Sequence, residues 1–122
     1  MKSEIIAIAK RVYKEESSYY EDKTLQALCL EVSRKLRDEL IKCGYNAQVV
    51  QGTFALDESI SDDDGNEYYK PLHYWVEVER EILDITVIQF KDYLEYEDEI
   101  EVINTGKYKD NPRYKSIRKG WQ

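Results

Sequence analysis

Apolar and polar residues repeat along this chain with two periods, and the change from one to the other separates helix-forming from strand-forming segments. Residues 3–15 place Ile5, Ile6, Ile8, Ala9 and Val12 at helical spacing behind Ser3, a residue type that caps helix starts, and predict a short amphipathic helix. The polar stretch E-S-S-Y-Y-E-D-K then reads as a connection. From Thr24 to Cys43 the stripe Leu25, Leu28, Cys29, Val32, Leu36, Leu40, Cys43 predicts a long helix. Charged residues such as Glu31, Lys35, Asp38 and Lys42 occupy its other face, and Gly44 stands where it would stop.

The period then changes. Residues 47–56, A-Q-V-V-Q-G-T-F-A-L, are rich in β-branched side chains and predict a strand with an irregularity at Gly52. Residues 57–71 lose periodicity and contain D-D-D-G-N, which is loop chemistry. Two strands follow, His73 to Glu79 and Ile82 to Val87, close enough to form a hairpin. Further on, F-K-D-Y-L reads as one helical turn and E-I-E-V-I as a strand, while the last residues carry no assignable pattern. No repeat and no dividing linker is present, so the 122 residues are expected to form a single domain.

Composition narrows the class. The N-terminus lacks the apolar core of a signal peptide and no apolar run approaches the ~20 residues that span a bilayer, so a soluble, cytoplasmic protein without a membrane partner is expected. Cys29 and Cys43 lie fourteen residues apart on one predicted helix. That spacing is ~21 Å at 1.5 Å per residue, against the ~7 Å that a disulfide tolerates, so both are expected as free thiols. The net charge of −7 argues against a nucleic-acid partner. The charge is uneven, however: Lys107, Lys109, Arg113, Lys115, Arg118 and Lys119 face only Asp110 among the last sixteen residues. This basic segment, 107–119, is expected to fold back on the acidic body.

The chain's only histidine, His73, and the aspartate Asp84 fall on the two predicted hairpin strands. If Glu79 and Arg80 form a two-residue loop, Asp84 pairs with Trp75 and lies diagonal to His73 on one face of the sheet. Diagonal neighbours stand about 7–8 Å apart, a gap these two side chains can close. An imidazole oriented by a carboxylate needs a group to deprotonate. Cys29 is the candidate, because a helical thiol beside an imidazolium is driven toward thiolate, the nucleophilic form.

The segments Q-A-L-C-L-E-V-S-R-K-L, G-Y-N-A-Q-V-V-Q-G-T-F, H-Y-W-V-E-V and I-L-D-I-T-V-I-Q-F together resemble the transglutaminase-like branch of the papain-like thiol enzymes. The likeness spans about residues 25–90, and H-x-W with D-x-T is its most specific part. It implies an α+β fold with N-terminal helices packed on an antiparallel β-sheet. It further implies a Cys-His-Asp triad: Cys29 as nucleophile, His73 as general base and acid, and Asp84 as the orienting carboxylate. Trp75 would sit beside the site and Thr86 would fill the threonine position of the aspartate motif. Ala27 and Leu28 stand where members often carry a glycine before the cysteine. The implied chemistry is acyl transfer at an amide bond of a protein or peptide, as a cysteine protease, glutamine deamidase or transglutaminase, without a cofactor. Backbone N–H groups near Cys29 would hold the oxyanion, with Gln26 the nearest side-chain amide and Trp75 the other candidate for substrate contact.

Other readings of the same residues are weaker. A single histidine and two distant cysteines cannot close a zinc site. The run from Asp62 places Glu67 and His73 where a calcium loop needs glycine and glutamate, so no metal is expected. The acids Asp57, Glu58, Asp62, Asp63, Asp64 and Glu67 occur without a single base before Lys70, just upstream of His73, and would favour basic substrates. Tyr19, Tyr20, Tyr68 and Tyr69 are accounted for by packing and receive no role. The competing class is a non-catalytic binding or immunity-type module of the same fold that docks a basic partner. Thiol reactivity separates the two.

Overall fold

The computed structural model describes residues 1–19, 28–57, 59–61, 64–94 and 101–121. The described residues form an α+β fold in which the helices α1 (Ser3–Tyr19) and α2 (Cys29–Lys42) accompany a five-stranded antiparallel sheet. The sheet strands are β1 (Ala47–Phe54), β4 (Leu72–Val78), β5 (Glu81–Asp84), β6 (Asn104–Gly106) and β7 (Tyr114–Trp121), in spatial order β6-β5-β4-β1-β7. A separate two-stranded ladder joins β2 (Ile60–Ser61) to β3 (Glu67–Tyr68). That ladder lies within the segment expected to be loop alone; strands of two residues are too short to display a period.

The helices bury the stripes that their spacing predicts. Ile5, Ile8, Ala9 and Val12 of α1 and Val32, Leu36 and Leu40 of α2 pack with Ala47, Val76, Val78, Leu83 and Ile85. Helix α2 ends in a Schellman motif: Tyr45 N–H bonds to Leu40 O at 3.0 Å and Gly44 N–H to Ile41 O at 3.0 Å, with Gly44 at φ +89°. A glycine takes this left-handed conformation without steric cost, which is why the helix stops there.

Alternation along the strands builds a second cluster on the opposite face, from Val50, Phe54, Trp75, Ile82, Val87, Phe90 and Tyr114. The β4–β5 hairpin turns through the expected two residues, Glu79 and Arg80, both at positive φ (54° and 65°), as a type I′ turn requires. The observed pairs Val76↔Leu83 and Val78↔Glu81 put Asp84 opposite Trp75 in continued register. Strand β5 stops at Asp84 and not at Val87. Asp84 Oδ1 accepts the Thr86 N–H at 2.9 Å and the Thr86 hydroxyl at 3.1 Å, which bends the chain into the 3-10 turn Val87–Tyr93.

The irregularity expected at Gly52 is present as register shifts of β1 against β7 between Val49 and Val50 and between Gln51 and Gly52. The strand expected over residues 99–103 falls partly outside the described residues, and strand geometry begins only at Asn104. The unassigned end is β7, an edge strand paired to β1. Ion pairs fold the basic segment onto the acidic body: Lys119 Nζ of β7 lies 2.9 Å from Glu77, and Arg113, just before β7, bonds both oxygens of Asp57 at 3.1 Å. Burial works against the Glu77 carboxylate, but Tyr108, Lys119 and Gln48 hold its pKa below the ordinary value. Among the described residues no helix is long and apolar enough to cross a membrane.

Candidate active site

Three elements converge on His73. Strand β4 supplies the imidazole, fully buried, and β5 supplies Asp84, 1 % exposed, with His73 Nε2 at 2.6 Å from Asp84 Oδ2. The rings of Phe90 (4.9 Å between centroids), Trp75 (5.9 Å) and Phe54 (6.1 Å) surround the imidazole, so water cannot compete for its hydrogen bonds. Asp84 accepts two bonds from Thr86 on Oδ1, and Oδ2 also accepts the Tyr114 hydroxyl at 2.8 Å. A buried carboxylate needs such saturation to remain charged.

Helix α2 supplies Cys29. Its described course begins at Cys29, with Leu28 in the N-cap position; residues 24–27 of the helix expected from Thr24 lie outside the described residues. The thiol therefore stands on the first residue of α2, where the helix dipole is strongest. Val32 N–H bonds to Leu28 O at 2.9 Å, so Leu28 accepts a bond of the helix's first turn and Cys29 and Leu30 lie within that turn. One turn along, Ser33 Oγ donates to the Tyr74 carbonyl at 3.3 Å and registers the helix against the strand that carries His73.

The electrostatics follow from this packing. Burial opposes a charged imidazole, but the Asp84 carboxylate outweighs it by charge and hydrogen bond, and a hydrogen bond with Cys29 adds to the effect, so the His73 pKa is pushed up to about 9. Burial likewise opposes the Asp84 charge, and His73, Thr86 and Tyr114 together hold its carboxyl below the usual carboxylate range. Burial and the Asp84 charge raise the Tyr114 hydroxyl far above the ordinary tyrosine value, which keeps it a donor. Because Asp84 occupies Nε2, Nδ1 is the imidazole nitrogen turned away from the carboxylate. The arrangement can carry a proton between sulfur and an acyl leaving group.

Each candidate residue can now be placed. Cys29, His73 and Asp84 are brought together, and Thr86 binds the aspartate. Trp75 is fully buried and its indole N–H donates to the Tyr108 hydroxyl at 3.0 Å, so the ring supports the site by packing and offers no free donor to a substrate. Gln26 lies outside the described residues, as do Glu58, Asp62 and Asp63 of the acidic loop; Asp57 of that loop is bound by Arg113. Cys43 is exposed at the far end of α2.

Sequence reasoning missed Gln89 and Tyr114. Gln89 Nε2 stands 3.3 Å from His73 Nδ1 and donates to the Thr86 carbonyl at 2.9 Å. A cavity of about 540 Å³ opens beyond Asp84, lined by residues including Phe54, Asn104, Asn111, Arg113 and Tyr114, and neither Cys29 nor His73 lines it. Compared with known proteins, the chain matches no family model, no curated protein and no solved structure.

Proposed function

We propose that this protein is a thiol-dependent acyl-transfer enzyme acting on amide bonds of a protein or peptide, built on a papain-like, transglutaminase-like core. The observation that carries this reading is a fully buried His73 whose Nε2 is held 2.6 Å from a buried carboxylate, with Cys29 brought against the imidazole by the first turn of α2. In the proposed reaction the Cys29 thiolate attacks the amide carbonyl carbon and the carbonyl π electrons move to oxygen. His73 gives its Nδ1 proton to the departing nitrogen, the C–N bond breaks, and a thioester remains. Water or an amine then loses a proton to Nδ1 as it attacks the thioester, and sulfur leaves as thiolate. The backbone N–H groups of Cys29 and Leu30, at the start of α2, are the oxyanion donors of this reading. Such a thiol requires a reducing compartment, so the reading also implies the cytoplasm.

The test is the alkylation rate of Cys29 and Cys43 by iodoacetamide, each followed separately by mass spectrometry from pH 4 to 9. Cys29 is expected to react with a midpoint well below ~8.5, the ordinary thiol value, and to lose that behaviour in His73→Ala. Equal midpoints for the two cysteines, unchanged by His73→Ala, would overturn the reading and favour a non-catalytic module.

A further inference from the structure

His73 is faced by Asp84 from β5, Cys29 from α2, Tyr114 from β7 and Gln89 from the 3-10 turn. Asp84 and Cys29 both favour a proton on the ring. Gln89 does the opposite. Its Nε2 lies 2.9 Å from the Thr86 carbonyl oxygen, so that atom is the amide NH₂ and the carbonyl end of the side chain points away. The same NH₂ stands 3.3 Å from Nδ1, where it can donate only to an unprotonated nitrogen. Turning the amide over would set its oxygen against the Thr86 carbonyl, two acceptors without a proton between them.

We propose that Gln89 is a positioning residue for His73: pinned by the Thr86 carbonyl, its N–H holds Nδ1 as an acceptor and favours the neutral Nε2–H tautomer. This rests on the proposed thiol chemistry and deepens it. A group that must take a proton from sulfur or water and then return it works best when neither protonation state is trapped. Asp84, buried and saturated with donors, would by itself trap the proton on His73. Gln89 counters that trap from the opposite nitrogen. Thr86 thereby sets both ends of the imidazole, because its N–H and hydroxyl fix Asp84 while its carbonyl fixes Gln89.

His73 is the chain's single histidine, so the imidazole ¹⁵N spectrum reports on it alone. The experiment titrates that spectrum in the parent, Gln89→Met and Gln89→Glu, alongside the Cys29 alkylation midpoint. Gln89→Met removes the donor at similar volume; one hydrogen bond of ordinary net strength corresponds to roughly half to one pH unit. The His73 midpoint is expected to rise by about that amount in Gln89→Met and further in Gln89→Glu, with the Cys29 alkylation midpoint falling in the same order. The neutral form in the parent is expected to carry its proton on Nε2. Identical His73 titrations in all three proteins, or a parent neutral form protonated on Nδ1, would overturn the assignment. Should the His73 midpoint move as expected while Cys29 alkylation ignores His73→Ala, the tautomer assignment stands and the enzymatic reading falls.

Discussion

Tyr114, near the end of the chain, donates its hydroxyl at 2.8 Å to Oδ2 of Asp84, the oxygen that also binds His73. The last strand is thus part of the site and more than a cover for the sheet edge. The hydroxyl also accepts the Asn104 amide at 3.1 Å, which ties β6 to β7 beside Asp84. Tyr114→Phe keeps the ring that packs on Phe54 and Trp75 and removes only these bonds. A hydrogen bond to a buried charge is worth about 1.5–3 kcal/mol, and urea unfolding at neutral pH should show a loss in that range. Asp84 would lose one of the donors that lower its pKa, so the acid limb of the stability profile should move to higher pH.

The His73–Asp84 pair gives the stability profile two limbs of opposite sign. The folded-state pKa of His73, about 9, lies above the unfolded value near 6.5, so its contribution is complete below about 6.5 and is lost as pH rises through 9. Asp84 is shifted downward, so its contribution is present above the ordinary aspartate pKa and is lost as pH falls through the lowered one. Urea unfolding across pH should give a plateau between these limits and an alkaline decline of no more than about 3 kcal/mol. His73→Gln should abolish the alkaline limb. If that variant declined between pH 6.5 and 9 as steeply as the parent, another group would be responsible.

The parts of the site that could be read from sequence are those that local arithmetic decides. A two-residue hairpin loop and a period of two suffice to bring His73 and Asp84 onto one face, and the structure keeps that register. The N-cap position of Leu28 was not legible, because Leu25 and Leu28 both belong to the apolar stripe and periodicity alone does not mark a cap. The end of β5 depends on side-chain bonds from Asp84 to Thr86, which hydropathy does not encode. Strand β7 is exposed along Lys115–Gly120, so it has no buried face to alternate with, and Tyr114 could not be placed against Asp84. Gln89 was invisible for a related reason: its role comes from one atom shared between Thr86 and His73.

The hairpin tip that sets the register carries strain. Glu79 and Arg80 both hold positive φ, which costs a residue with a Cβ roughly 1–2 kcal/mol each. Asn-Gly is the pair this turn prefers. The double substitution Glu79→Asn, Arg80→Gly removes most of that strain, less the entropy of the added glycine and the exposed Lys2–Glu79 ion pair, which is worth little. A net gain of about 1 kcal/mol is expected from urea unfolding, with the His73 titration unchanged because the Val76↔Leu83 register is kept. A shifted His73 titration would mean that the native strain is transmitted to the site.

Gly52 lies opposite His73 on β1 and opposite Ser116 on β7, so the central strand passes the site with no side chain at that position. A Cβ there would run into the outer edge of the Trp75 indole and into the Lys115 carbonyl. The indole cannot easily retreat, because its N–H is held by Tyr108 and its ring packs edge-on against Tyr114 at 5.1 Å. Gly52→Ala is therefore expected to cost about 1–3 kcal/mol, the usual range for overpacking, and to disturb His73 through the Trp75 ring beside it. A smaller ring should relieve part of the collision: in a double-mutant cycle, Gly52→Ala in a Trp75→Phe background should cost less than in the parent. The Lys115 carbonyl stays in place in both backgrounds, so the rescue should be partial. If the two substitutions were simply additive, the collision with the β7 backbone would dominate, and Gly52 would serve strand pairing and not the packing around His73.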